Sequence, residues 1–374
     1  MKIHANWRAV AILLLLSGIA ARLIAVESRP SFLRPGLHLY AYVGNTDDGT
    51  VNIVDLVRLE RLATIWVGAG PSGIRAHPTR GEIWGLSSEG GYAWVLDAKK
   101  SQVVARIPVG AAPYALDFSP DGKRAYFAAS GANLVVAIDC ESRQIVARGK
   151  AGRRPWIARV TPDGRAVAVS NRDDATVSLL DSVTLAPLSP PIPVAAQPEQ
   201  LAVLPDSSKL FVTSGAANQV SVVDLRRRVL VANLDLGSRP DDLILKPDGG
   251  ELYIPSSDAH GLLIVNTQTN EVGDFLLVGM SPKSGAIAAD AGLLYVSDSA
   301  AGHVVPIAID TRRVVRPIAV GQSPLTCRLT PGGDILLAVD AGSNDLAVIR
   351  AKTSTLITLI PLGSRPRDLA VKVF

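Results

Sequence analysis

A chain of 374 residues that is 48% hydrophobic and 19% charged has ample material for a core and lacks the charge excess of a disordered chain. Its formal net charge is only +4, with no long Lys/Arg run, which excludes the concentrated basic stripe of a nucleic-acid binder. Two cysteines, Cys140 and Cys327, exclude a disulfide framework.

The first 26 residues read as an export signal. Lys2 and Arg8 precede the apolar stretch Ala9 to Ala21, which small residues and Arg22 close. The run is short for a bilayer span. A retained anchor is the alternative and the one membrane contact the sequence supports. No Cys follows closely enough for a lipid anchor. Residues 27–38 read as a linker and 39–374 as one domain. The expected location is periplasmic or extracellular.

From residue 39 onward the chain repeats itself. Prolines fall at 71, 113, 155, 198, 240, 282, 324 and 366, in steps of 42, 42, 43, 42, 42, 42 and 42. Three residues before each stands glycine, except at Ala195. We call this Gly-x-x-Pro segment the joint. Within the unit at Pro113, Tyr114 to Ser119 predicts a first strand and Pro120-Asp121-Gly122 a turn. Ala125 to Ala129, Leu134 to Ile138 and a segment starting at Gln144 predict three more strands. An acid ends the third strand at Asp55, Asp97, Asp139, Asp181, Asp224 and Asp310, with Asn266 in the same place. Four short strands per unit of this length predict an all-β propeller of antiparallel blades.

Counting blades turns on the ends. Seven complete units run from Pro71 to near Gly363. Residues 39–68 supply three strands of a further blade, and 366–373 a lone first strand. Together they predict an eighth blade closed by the C-terminal strand. Ser28-Arg29-Pro30 with Arg34-Pro35-Gly36 offers a rival first strand; seven blades is the alternative count.

The segments Ala41-Tyr42-Val43-Gly44-Asn45, Leu252-Tyr253-Ile254 and Leu293-Leu294-Tyr295-Val296-Ser297 resemble the Tyr-Val-Thr-Asn (YVTN) β-propeller repeat. The Val-Gly-x-x-Pro joints Val109 to Pro113 and Val278 to Pro282 match it as well. The resemblance implies a propeller of the exported bacterial kind, and lactonase-like and redox-associated relatives. It carries over no catalytic residues, and fold alone does not give function.

Gly68-Ala69-Gly70-Pro71-Ser72-Gly73 fits the dinucleotide pattern Gly-x-Gly-x-x-Gly, but a predicted strand follows where a phosphate-cradling helix is required. His260 and His303 occupy loop positions held elsewhere by Asn133, Asn218 and Asn344, which favours a turn role over a metal pair. Cys140 and Cys327 fall five units apart, too far for a disulfide, and are expected to be free and structural. No nucleophile elbow or zinc pattern is present, and no cofactor is expected.

Residues flanking the joint proline begin the innermost strands and should ring one mouth of the central channel. They include Tyr114, Arg154, Trp156, Arg239, Asp242, Lys283, Arg365 and Asp368. Arg154, Arg239 and Arg365 are suited to two-pronged bonds with a carboxylate or phosphate, and Trp156 to anchoring a ligand. The sequence thus predicts a non-catalytic, monomeric binding propeller whose funnel face takes a protein partner or small anionic ligand. A lactonase-like hydrolase using the channel and a periplasmic cofactor-linked redox or maturation protein are the alternatives.

Overall fold

Apolar runs of about six residues, bounded by turn-forming residues, become strands throughout the chain. The computed structural model describes residues 38–288 and 290–374. The expected export signal, the linker up to residue 37 and the rival strand at Ser28–Gly36 lie outside the described residues. Leu39–Phe374 forms a unit of eight sheets, each built on four antiparallel strands, which follow sequence order in blades 2 to 8. We number the blades 1 to 8 in chain order, and the strands of each blade first to fourth from the channel outward.

Blade 1 is composite. Its second to fourth strands are Leu39–Asn45, Thr50–Asp55 and Glu60–Trp66, and its first is the C-terminal Pro366–Val373. Tyr42 pairs with Ala370 and Val43 with Leu369 in antiparallel register. The protein is therefore an eight-bladed β-propeller, and the C-terminal strand is the one that closes it.

Second and third strands are buried on both faces, as in Arg124–Ala129 and Leu134–Asp139 of blade 3. Apolar clusters lie between adjacent blades. Trp84 and Leu86 meet Phe127 and Val136 between blades 2 and 3, and Tyr295 meets Leu336 and Ala347 between blades 7 and 8. Tyrosines stitch some neighbours together. The hydroxyls of Tyr42, Tyr126 and Tyr295 donate to Ala98 O, Ser182 O and Ala351 O of the next blade, each 56 residues away. Fourth strands are half-exposed and weakest where proline interrupts them. Blade 4 keeps only Ile192–Pro193, after Pro187, Pro190 and Pro191, and blade 7 breaks at Pro317 into Arg313–Val314 and Ile318–Ala319.

The turns follow their residues. Asp121, Asp163, Asp206 and Asp248 each accept the backbone N–H two residues on. Asp55, Asp97, Asp139, Asp181 and Asp224, and Asn266 by its amide oxygen, each accept two N–H groups of the turn into the fourth strand. Asp310 departs from expectation. The third strand of blade 7 ends at Ala308, so Asp310 lies within the turn. In blade 8 the strand-ending residue is Arg350, and without an acid there the chain makes a short 3-10 turn, Ala351–Thr353.

One backbone device recurs in every blade. The residue before the third strand is left-handed: Gly49, Gly91, Asn133, Ala175, Asn218, His260, Gly302 and Asn344 all have φ between 52° and 69°. Its carbonyl accepts an N–H from just before the next joint, as Ala151 donates to Asn133 O and Leu362 to Asn344 O. This explains the Asn preference and places His260 with the asparagines. His303 is corrected by one position: Gly302 takes the left-handed turn, and His303 opens the strand opposite Asp298. The joint glycines answer to crowding as well as conformation. A Cβ on Gly68 (φ 115°) would meet the Tyr92 hydroxyl at 2.0 Å, and one on Gly279 would meet Asp298 Oδ2 at 2.0 Å.

Gly68 to Gly73 leads into the strand Pro71–Ala76, so the helix needed for a dinucleotide cradle is replaced by a strand. Cys140 and Cys327 are free and buried, and burial raises both thiols.

At the end of its second strand, blade 4 has Asn171, which donates to Thr176 and accepts the Gly152 N–H. Blade 8 has Asp340 and Asp345 in these places, with Asp340 fully buried and bonded to the Gly321 N–H. Burial, then the neighbouring Asp345 carboxyl, pushes Asp340 up from 3.8 to about 8.

Two predictions follow from this architecture. Ending the chain after Ser364 should unfold it well below the parent in a circular-dichroism melt, and Leu369→Ala alone should cost about 2–5 kcal/mol. A truncated chain with the parent's melting point would refute closure by this strand. Second, folded Asp340 holds its proton between about pH 4 and 8 where the unfolded chain has lost it, so stability falls as pH rises through that window. Asp340→Asn should flatten that slope and raise the melting temperature most near pH 8. Equal destabilisation at pH 5 and pH 8 would contradict the raised carboxyl.

Candidate functional site

The joints and the loops between second and third strands meet on one face. Arg154 pairs with Asp173, Arg153 with Asp174, and Arg365 with Asp47 across this seam. The backbones of Arg154 and Arg365 are left-handed (φ 52° and 55°), and their N–H groups donate to Asn133 and Asn344 at 2.8 Å. An asparagine in the neighbouring loop thus presents each arginine to the mouth. The pairs are long, 3.7 Å for Arg154 and 3.4 Å for Arg365, and their side chains are about half-exposed or more. Such pairs are worth little and exchange readily for another carboxylate.

Trp156 is the centre of the most ordered part of the mouth. It begins the first strand of blade 4 and stacks on Tyr114 of blade 3, with ring centroids 3.7 Å apart and planes 25° apart. The Arg172 and Arg154 guanidiniums lie 5.0 and 5.8 Å from the Trp156 ring centroid. Arg172 bonds Glu199 at 2.9 Å, and Arg239 approaches the other oxygen of Glu199 at 3.7 Å. Burial raises the Tyr114 hydroxyl, so it remains a neutral donor. The structure thus brings together Tyr114, Arg154, Trp156 and, through Glu199, Arg239.

Lys283 belongs to another part of the mouth. It bonds Asp241 at 2.9 Å and Ser257 Oγ at 2.6 Å, and Ser257 donates in turn to Asp241. These bonds tie blade 7 to blade 6, whose first strand is reduced to Ile244–Leu245. Lys283 is therefore held by protein partners.

Asp242 and Asp368 lie below the mouth, two residues past their prolines and inside the channel. Asp368 faces Arg75 at 3.6 Å and Arg328 at 3.5 Å. Burial raises the Asp242 carboxyl, and Arg328 and Arg159 are among the charges acting on it. Between mouth and channel lies a cavity of about 310 Å³, lined by Tyr114, Arg159, Gln200, Thr326, Arg367 and Asp368 among others.

Arg75, Arg159 and Arg328 are functional candidates that the reading of the joints missed. Each stands four residues after its joint proline, a register readable from the sequence by carrying the alignment further down the strand. Among the described residues, no group of three or more His, Cys, Asp or Glu side chains is placed to hold a metal ion. No helix there is long and apolar enough to cross a membrane.

Comparison with solved structures agrees with the fold. Dihydro-heme d1 dehydrogenase NirN, solved in complex with DHE, superposes with a TM-score of 0.77 at 18% identity, covering 91% of this chain and 77% of that one. Apo AztD from Citrobacter koseri gives 0.70 at 11% identity, covering 90% and 98%. Hydrazine synthase from Kuenenia stuttgartiensis gives 0.61 at 18%, covering 75% and 95%. At such identities the likeness shows the fold alone. No family model matches the chain, and no curated protein matches it in sequence.

Proposed function

We propose that this chain is an exported, non-catalytic binding propeller that holds a small anionic ligand with a planar face at the channel mouth. One observation carries the reading: the Tyr114–Trp156 stack flanked by the Arg154 and Arg172 guanidiniums. A flat ring can extend the stack while its carboxylate displaces Asp173 from the loosely paired Arg154. The cavity beneath is of ligand size, and aromatic and arginine side chains are the residue types that most often dominate binding energy. Export rests on the basic and apolar segments before residue 27.

A protein partner is a weaker reading, because the ordered contacts point into a concave mouth. The cofactor-linked alternative draws on one comparison, a dihydro-heme d1 dehydrogenase solved with DHE, and would use the same aromatic and arginine surface. A lactonase-like hydrolase needs an acid, a base and a metal-ligand set converging in the channel, and the groups converging there are guanidiniums and carboxylates facing one another.

Calorimetric titration with benzoate tests the proposal. Wild-type protein should bind it at one site, and Trp156→Ala should weaken binding by about tenfold or more while the melting temperature stays within a few degrees. Arg154→Ala should weaken it less. Affinity unchanged in both variants would eliminate the mouth as the site.

A further inference from the structure

The channel below the mouth carries an arrangement of charge that mouth binding leaves unexplained. Four residues after the joint proline, blades 2, 4 and 8 each place an arginine: Arg75, Arg159 and Arg328. Carboxylates stand between them. In ring order the arc runs Arg328, Asp368, Arg75, Asp117, Arg159, over five consecutive blades, with separations of 3.5 Å (Arg328–Asp368), 3.6 Å (Asp368–Arg75) and 3.7 Å (Asp117–Arg159).

Neither the count nor the distances close this arc as a self-contained network. Along the arc, three guanidiniums face two carboxylates. The separations exceed the 2.7–2.9 Å or so of a charge-assisted hydrogen bond. The carboxylates are instead occupied by backbone: Asp368 accepts the N–H groups of Ile74 and Leu369, and Asp117 that of Val160. Arg328 is left with its Nε buried and without a hydrogen-bond partner. The rest of the side chain is 38% exposed, so an arriving anion can reach its open donors. Across the channel the same register holds Ala202, Ile244 and Ala286, none of them charged. Burial raises the Asp242 carboxyl on that side, while Arg328 and Arg159 act on it in the opposite sense.

We infer that the channel holds an inner seat for a carboxylate or phosphate group, formed by Arg328 and Arg159 with Arg75 between them, and that the ligand is a planar diacid whose second acidic group enters it. The step from Trp156 to Arg159 is three residues along one strand, about 10 Å. Long arginine side chains shorten it to the reach of a ring bearing acidic groups at opposite ends. The identification of the ligand as a diacid rests on the mouth reading above; the inner seat does not.

Titrations with terephthalate, benzoate and inorganic phosphate, on wild-type protein and on Arg328→Gln, Arg159→Gln and Trp156→Ala, separate the two. Wild-type protein should bind terephthalate about tenfold or more tighter than benzoate, the worth of one charged hydrogen-bonded contact. Arg328→Gln should bring terephthalate down to the benzoate level and abolish phosphate binding. Arg159→Gln should do the same in part, and serves as the test if Arg328→Gln fails to fold by circular dichroism. Trp156→Ala should weaken both aromatic acids by a similar factor and leave phosphate bound. Equal affinity for terephthalate and benzoate in wild type, or phosphate binding indifferent to both arginine variants, would overturn the inner seat. Phosphate bound normally while benzoate ignores Trp156→Ala would overturn the mouth reading and keep the inner seat.

Discussion

Everything in this molecule depends on one constraint: the middle strands of each blade are apolar on both faces. A sheet of that kind cannot finish a row, because its outer face would meet water. A line of such sheets must bend round until the last covers the first. Here the ring closes at eight blades. The interblade clusters, such as Trp84 with Phe127 or Tyr295 with Leu336, are the energetic content of that closure.

Burial on both faces also explains what could be read from the sequence and what could not. Proline spacing, turn chemistry and strand-ending acids are local signals, and each reappears as a specific hydrogen bond. The blade count followed from the regular register of Pro366 to Val371. Other features depend on space rather than on local preference. Nothing local distinguishes Asp310 from the acids that truly end a strand; the 42-residue step from Asn266 falls on Ala308 instead, and the pairing of Leu293 with Ala308 sets the boundary there. The left-handed residue before each third strand is visible where it is Gly or Asn, inferable at His260 from the asparagines in its place elsewhere, and hidden at Ala175.

The candidate site shows the same division. Trp156, Tyr114 and the rim arginines stand out because they flank a recognisable proline. The channel arginines do not, because a strand buried on both faces has no polar alternation to announce which side chains face the lumen. Arg159 sits between Ala158 and Val160, both buried, and only the assembled ring reveals that it faces the channel wall of another blade. Comparing whole units position by position, rather than their joints alone, would have exposed Arg75, Arg159 and Arg328 as one register. Blade 6 would still have misled, since Asp241 leaves the ladder to bond Ser257 and shortens the first strand.

The composite blade carries a consequence in time. Its outer three strands are the first of the described segments to be synthesised, and its inner strand is the last. During synthesis, blades 2 to 8 can form as local four-stranded units from contiguous sequence. The segment Leu39–Asn45 must wait for residues more than 320 positions away before its free edge is paired. That single long-range pairing gives the fold its slowest entropic step and leaves one reactive strand edge open until the end. A cell handling this chain would therefore gain most from a chaperone that shields the first blade, and a stalled or clipped product would expose a sticky edge at one defined place.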